Sequence, residues 1–127
     1  MRSILSFFPD NEVVLETSIE DISLPTKMVV SLGLVLNELA TNAIKHAFPG
    51  TENPWFKIEM YREKESEKTV LQVTNNGKKF PEGIDFGTTH SLGLRLISSL
   101  VGQIDGTLEL EREPHTRFTI HLPGSTS

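Results

Sequence analysis

The sequence predicts an α+β fold, with two amphipathic helices and five strands in one domain. Two segments carry apolar residues at spacings of three and four, which is the period of a helix that buries one face. Five other segments alternate apolar and polar residues, as half-buried strands do. At 127 residues the chain is long enough for one hydrophobic core and short for two domains. We therefore expect a single domain over residues 1–127, with one functional site.

The first half of the chain predicts a strand and then a long helix. The run "EVVLETSIEDISL" mixes β-branched with polar residues, which predicts a strand over residues 13–19 and a turn that ends at Pro25. From Pro25 to about Ala47 the apolar residues recur at helical spacing, and proline is favoured in a first helical turn. The segment "FPGTENP" then ends the predicted helix.

The second half predicts a hairpin, a second helix and two closing strands. The runs "WFKIEMYRE" and "KTVLQVTNN" flank the charged tip "EKESEK", which predicts an antiparallel hairpin. The segment "GKKFPEGIDFGTTHSLG" is long for a structureless connection, and such loops are usually functional or disordered. A helix is predicted from about Leu92 to Val101, because its spacing is amphipathic and glycines follow it. The runs "TLELERE" and "TRFTIHLP" are the last two predicted strands.

The composition excludes several classes of function. A net charge of -5 argues against general nucleic-acid binding, where clustered Lys and Arg supply much of the affinity. There are no cysteines, so disulfides and thiolate metal sites are excluded. No apolar run approaches the roughly 20 residues of a membrane-spanning helix, and the first residues lack the long apolar core of a signal peptide. We expect a cytoplasmic domain that binds no nucleic acid and makes no membrane contact.

Polar residues are concentrated near the end of the first predicted helix, in "LNELATNAIKHAF". Glu38, Asn42 and Lys45 follow each other at i, i+4 and i+7, so they share a face of a regular α-helix, with His46 beside them. A carboxylate and an amide oxygen one turn apart suit Mg²⁺, and the lysine could meet phosphates that share the metal. The alternative is a polar stripe on the solvent side of an amphipathic helix.

Two glycine-containing segments follow the polar helix in a fixed order. The strand "VTNNGKKFP" closes with Asn-Asn-Gly, which is also the composition of an ordinary turn. In "HSLGLRL", Ser91 and Gly93 stand at a predicted helix start, where free backbone N–H groups favour a phosphate, although serine is also a common N-cap. Each segment by itself is weak evidence for nucleotide binding. The order of the segments along the chain is stronger evidence.

This order resembles the GHKL ATPase superfamily of gyrase, certain chaperones and histidine kinases. The segments "LGLVLNELATNAIKHAFPG", "VTNNGKKFP" and "SLGLRLISSLVGQIDGTLEL" look like the N, G1 and G2 boxes of HisKA_2-type sensor histidine kinases. The resemblance covers nearly all of the chain. It implies a two-layer α/β sandwich, in which helices cover one face of a mixed, mostly antiparallel sheet. It also implies that ATP and Mg²⁺ are held between the helices and a mobile lid.

The resemblance assigns roles to the polar helix residue by residue. Asn42 corresponds to the Mg²⁺ ligand of the N box. Glu38 corresponds to the acidic residue that orients water or assists metal binding. Lys45 and His46 would face the phosphates. Glu38, Asn42 and Lys45 are therefore the expected catalytic residues.

The resemblance also implies a base pocket and a phosphate turn. Asn75 stands where the family usually has an Asp that accepts a hydrogen bond from the adenine amino group, and Gly77 is the first G1 glycine. Thr116 matches a hydroxyl near the adenine, although the usual preceding glycine is His115 here. The phosphates are expected at the G2 turn, against the backbone N–H groups of Ser91, Leu92, Gly93 and Leu94.

Two residues depart from the G1 pattern, in which Asp and a second Gly are usual. The neutral Asn75 is a weaker acceptor than a carboxylate by about 1 kcal/mol, which is about fivefold in affinity. Its amide could accept from the adenine amino group or, flipped, donate to a guanine carbonyl, so we expect weaker base discrimination. Lys79 stands where the second Gly is usual, and its Cβ could change the path of the lid. Lys78 and Lys79 could bring positive charge toward the phosphates or form a solvated pair on a loop.

The resemblance implies the ATP-binding catalytic domain of a two-component sensor histidine kinase. Such a domain transfers the γ-phosphoryl group of ATP to a histidine on a separate dimerisation domain, which then serves a response regulator receiver domain. The four histidines of this chain fall inside or beside the nucleotide-binding segments and are poorly placed as acceptors. We expect a fragment of a longer kinase that lacks the phosphoacceptor domain.

Two other functions remain open from the sequence. One is a degenerate nucleotide-binding or protein-interaction module without kinase activity, which the G1 departures would explain. The other is a serine kinase of the anti-sigma-factor type, which shares this fold and the polar helix.

Overall fold

Six strands form one sheet, and two α-helices cover one of its faces, in the computed structural model that describes residues 2–8, 11–78 and 94–123. The strands are β1 (Arg2–Phe8), β2 (Asn11–Ile19), β3 (Trp55–Arg62), β4 (Thr69–Asn75), β5 (Thr107–Glu111) and β6 (Thr116–Leu122). The helices are α1 (Thr26–Asn42) and α2 (Leu94–Gln103).

The sheet is mixed and mostly antiparallel, as predicted. Its strand order is β1-β2-β3-β4-β6-β5, and only β2 and β3 run parallel. A parallel pair needs a crossover connection, and α1 supplies it between these two strands. The predicted hairpin is confirmed, because β3 and β4 are antiparallel from Phe56 opposite Asn75 to Arg62 opposite Thr69. The two-layer α+β fold is therefore confirmed.

The core lies between the helices and one side of the sheet. Successive strand residues point to opposite faces, so alternate residues of β4 and β6 contact the helices. Leu71 and Val73 of β4 pack with Phe118 and Ile120 of β6 in one buried cluster. The helices contribute Val35 and Leu39 of α1 with Leu94, Ile97, Leu100 and Val101 of α2. Each fully buried aliphatic side chain stabilises the fold by on the order of 1.5–3 kcal/mol.

The first helix differs from its prediction at its C-terminal end. The α-helix ends at Asn42, and Ala43–Ala47 form a π-helical turn. In this turn the Phe48 N–H donates to the Ala43 carbonyl at 2.8 Å, which is an i→i+5 bond. The helical segment therefore ends at Ala47, as predicted, but its last five residues are not α-helical, because apolar spacing does not distinguish the two kinds of turn over so few residues.

The other elements agree with the sequence to within a few residues, apart from one strand. The edge strand β1 was not predicted, and its pairing with β2 at the sheet edge defines it. Residues 92 and 93, where the second helix was predicted to begin, lie outside the described residues, and α2 continues to Gln103. Within the described ranges, no helix is long and apolar enough to cross a bilayer.

Candidate functional site

The polar residues of α1 lie at its C-terminal end, beside the core. Glu38 and Asn42 are half-buried and stand one helical turn apart, next to the buried Val35 and Leu39. Lys45 is exposed and belongs to the π-helical turn. A residue in an i→i+5 turn rotates less about the axis than one in an α-helix, so Lys45 is displaced from the position that a regular α-helix through Glu38 and Asn42 would give it.

His46 is exposed beside Lys45 in the same turn. Both side chains are basic and lie in the last turn of the helical segment. The turn therefore presents a lysine and a histidine to solvent, next to the half-buried oxygen atoms of Glu38 and Asn42.

Gly77 joins the end of this helix to the end of β4. A Cβ atom built on Gly77 would lie 2.6 Å from both the Cβ and the carbonyl oxygen of Ala47, closer than real Cβ atoms approach such atoms. The next residue, Lys78, donates its N–H to the same carbonyl at 2.8 Å, and the Thr51 hydroxyl donates to it at 3.0 Å. The glycine is required here by the close approach of two backbone segments.

Asn75 and Thr116 lie opposite each other where β4 ends and β6 begins. Both are buried, with 6% and 4% of their surface exposed. Asn75 is two residues from Val73, and Thr116 is two residues from Phe118, so both side chains point to the helix-covered face, as those core residues do. The Asn75 Oδ1 atom accepts the Gly77 N–H at 2.8 Å. The predicted base-pocket residues therefore lie together at one end of the sheet.

Asn76 holds the same end of the sheet through both atoms of its amide. Its Oδ1 accepts the Trp55 N–H at 2.8 Å, and its Nδ2 donates to the Asn53 carbonyl at 3.1 Å. The Trp55 ring also meets the exposed His115 ring edge-on, with 5.0 Å between their centroids. The sequence predicted no role for Asn76, because Asn-Asn-Gly is also the composition of an ordinary turn.

The remaining predicted site residues belong to the G2 turn. Leu94 is the first residue of α2 and is fully buried, so its side chain serves the core. Ser91, Leu92 and Gly93 lie outside the described residues, as does Lys79. α2 packs directly against α1, which brings the start of the second helix into the layer that carries the polar residues.

The oxygen atoms of Glu38 and Asn42 fit a magnesium ion that is also bound by phosphates. In the described part of the chain, no cluster of three or more His, Cys, Asp or Glu side chains could hold a metal on its own. Glu38 and Asn42 supply one carboxylate and one amide, both oxygen ligands. Mg²⁺ usually binds through one or two protein groups, with phosphates and water as the other ligands. These residues fit a metal that arrives with a nucleotide.

Comparison with known proteins identifies the family. The family of histidine kinase-, DNA gyrase B- and HSP90-like ATPases matches residues 29–126. The sensor histidine kinase PdtaS of Mycobacterium tuberculosis is 28% identical over 103 residues, which are 79% of this chain and 20% of the relative. The chain therefore spans about a fifth of the length of that relative.

Two solved structures have the same fold. The blue-light activated histidine kinase EL346 of Erythrobacter litoralis superposes with a TM-score of 0.77 at 23% identity, covering 87% of this chain and 35% of that one. The ATP-binding domain of PrrB from Mycobacterium tuberculosis superposes with a TM-score of 0.66 at 24% identity, covering 94% of this chain and 84% of that one.

The family match spans most of the chain, and the mixed sheet with helices on one face is the fold of the solved histidine kinase structures. The chain belongs to the family of histidine kinase-, DNA gyrase B- and HSP90-like ATPases.

Proposed function

We propose that this domain binds Mg²⁺–ATP and transfers the γ-phosphoryl group to a histidine on a separate dimerisation domain, which then serves a response regulator receiver domain. The observation that carries the proposal is the contact between Gly77 and Ala47. Through it, the end of β4 that carries Asn75 is held against the end of the helical segment that carries Lys45. A nucleotide could contact both ends at once.

Each group of residues has a separate task in this proposal. Glu38 and Asn42 contribute oxygen ligands, and Lys45 neutralises phosphate charge from the adjoining turn. Bound Mg²⁺ would supply further charge neutralisation at the phosphoryl group. Asn75 and Thr116 hold the base, so the γ-phosphate is positioned by contacts at both ends of the nucleotide.

Calorimetric titration with a non-hydrolysable ATP analogue tests binding, with and without Mg²⁺. We expect binding that requires Mg²⁺ and weakens at least about tenfold in Asn42→Ala, because charge-assisted contacts to the metal are lost. Asn37→Ala is the matched control. Asn37 is exposed on the opposite flank of α1, so its removal should leave the affinity unchanged. Equal loss in both variants, or no binding by the unsubstituted domain at millimolar nucleotide, would contradict the proposal.

Transfer to a supplied acceptor domain tests the reaction. The phosphorylated acceptor should be labile to acid and stable to base, as phosphohistidine is. An acid-stable product on a serine would instead support a serine kinase of the anti-sigma-factor type. Magnesium-dependent binding without transfer to any acceptor would support a nucleotide-binding module that lacks kinase activity.

A further inference from the structure

The orientation of the Asn75 amide is determined by its neighbour. The Gly77 backbone N–H is a donor and lies 2.8 Å from one side-chain atom of Asn75. Only the oxygen of an amide accepts a hydrogen bond, so this atom is Oδ1. A flipped amide would set two donors against each other at hydrogen-bond distance. The amide nitrogen is therefore turned away from Gly77.

This orientation changes what the pocket offers to a nucleobase. An aspartate at position 75 could keep the Gly77 hydrogen bond with one oxygen and present the other oxygen as an acceptor. Asn75 keeps the same bond, and the second acceptor is replaced by an NH₂ donor. The side chain is buried opposite Thr116, so solvent cannot readily satisfy a mismatched group there.

The Asn75 NH₂ group affects which substituent at position 6 of a purine can form a hydrogen bond with this side chain. A 6-oxo group accepts from the Asn75 NH₂. A 6-amino group is itself a donor and meets that NH₂ unfavourably, but it can donate to the second lone pair of Oδ1, which the Gly77 N–H leaves free. We propose that Asn75 makes this a pocket for 6-oxopurine nucleotides, those of hypoxanthine and guanine, on a par with adenine nucleotides. The proposal rests on the proposed function, since it concerns the base end of the same nucleotide site.

Binding of ADP and IDP to the unsubstituted domain, in the presence of Mg²⁺, is the first test. These two diphosphates differ only at position 6 and at the proton on N1, and neither carries a γ-phosphoryl group to transfer. We expect their dissociation constants to agree within about threefold. Purine riboside diphosphate, which lacks the 6-substituent, should bind more weakly than IDP. If the oxygen adds nothing over this analogue, the proposal is overturned without any variant.

The Asn75→Asp variant supplies the second test. It keeps the size of the side chain and the acceptor for Gly77, and we expect the preference for ADP over IDP to rise at least about tenfold. Asn37→Asp is the matched control, because it makes the same change at an exposed position on the other flank of α1. The control should leave the ratio of the two affinities unchanged.

The outcomes separate this proposal from the one on which it rests. If the unsubstituted domain and Asn75→Asp bind ADP and exclude IDP by the same factor, the base proposal fails and the nucleotide site stands. If neither protein binds either diphosphate, the proposed function fails as well. A higher ratio in Asn75→Asp together with comparable affinities in the unsubstituted domain supports both.

Discussion

The two flanks of α1 carry opposite kinds of surface. One flank presents Glu38 and Asn42 and continues into the turn whose Ala47 carbonyl bonds to Lys78. The opposite flank presents Leu36, Ala40 and Ile44 to an open apolar cavity of about 370 Å³ over β2 and β3. Both surfaces lie on the same turns of one helix, and in the described part of the chain the polar flank leads to the backbone contact between Ala47 and Lys78.

This difference predicts where the domain is sensitive to change. On the polar flank two backbone segments touch, so added atoms must displace the chain. On the apolar flank there is free volume, so added atoms fill space. We expect the first region to govern nucleotide binding and the second to govern stability without affecting binding.

The largest effect is expected from Gly77→Ala. The added Cβ would clash with the Ala47 backbone, which should destabilise the domain by about 1–3 kcal/mol and impair nucleotide binding. Urea unfolding and calorimetry measure the two effects. Gly33→Ala is the matched control on the apolar flank, where nothing lies within 4 Å of the added Cβ. It should stabilise the domain by about 0.5–1 kcal/mol, since alanine favours a helix. Similar losses in both variants would contradict the comparison.

The next effect is expected from Asn76→Ala. It removes the hydrogen bonds to the Trp55 N–H and the Asn53 carbonyl, which should cost about 1–2 kcal/mol. Nucleotide affinity should fall as well, because the adjoining Asn75 and Gly77 lose their support. Urea unfolding of Asn37→Ala, expected within about 0.5 kcal/mol of the unsubstituted domain, provides the control. Unchanged stability of Asn76→Ala would show that these bonds are not maintained in solution.

The smallest effect is expected from Ala40→Leu on the apolar flank. The longer side chain enters the cavity and should stabilise the domain by about 1 kcal/mol, with nucleotide affinity unchanged. Thermal unfolding in the presence and absence of nucleotide separates the two quantities. Ser99→Leu, on the exposed surface of α2, adds apolar atoms without a cavity and should bring no such gain. A loss of stability in Ala40→Leu would mean that the cavity is closed in solution.

The fold was largely predictable because its signals are local. Alternation set the β3–β4 hairpin, and helical spacing set α1 and α2 to within a few residues. The edge strand β1 was missed, since only its pairing with β2 distinguishes it from irregular chain. The π-helical turn was also missed, because apolar spacing over five residues does not reveal an i→i+5 bond.

The candidate site, like the fold, was predictable from the sequence only in part. Its residue types were evident from their order along the chain, but the pairing of Asn75 with Thr116 across β4 and β6 was not. The two hydrogen bonds of the Asn76 side chain were not evident, because their partners are 21 and 23 residues away in sequence.

By itself, the sequence determined which segments become strands and helices and which polar residues stand together on α1, since both depend on local periodicity. The requirement for glycine at position 77 and the orientation of the Asn75 amide were determined only by the tertiary structure. Those properties depend on contacts between segments that meet after folding, where an ångström of approach excludes a methyl group and one N–H selects the oxygen of an amide.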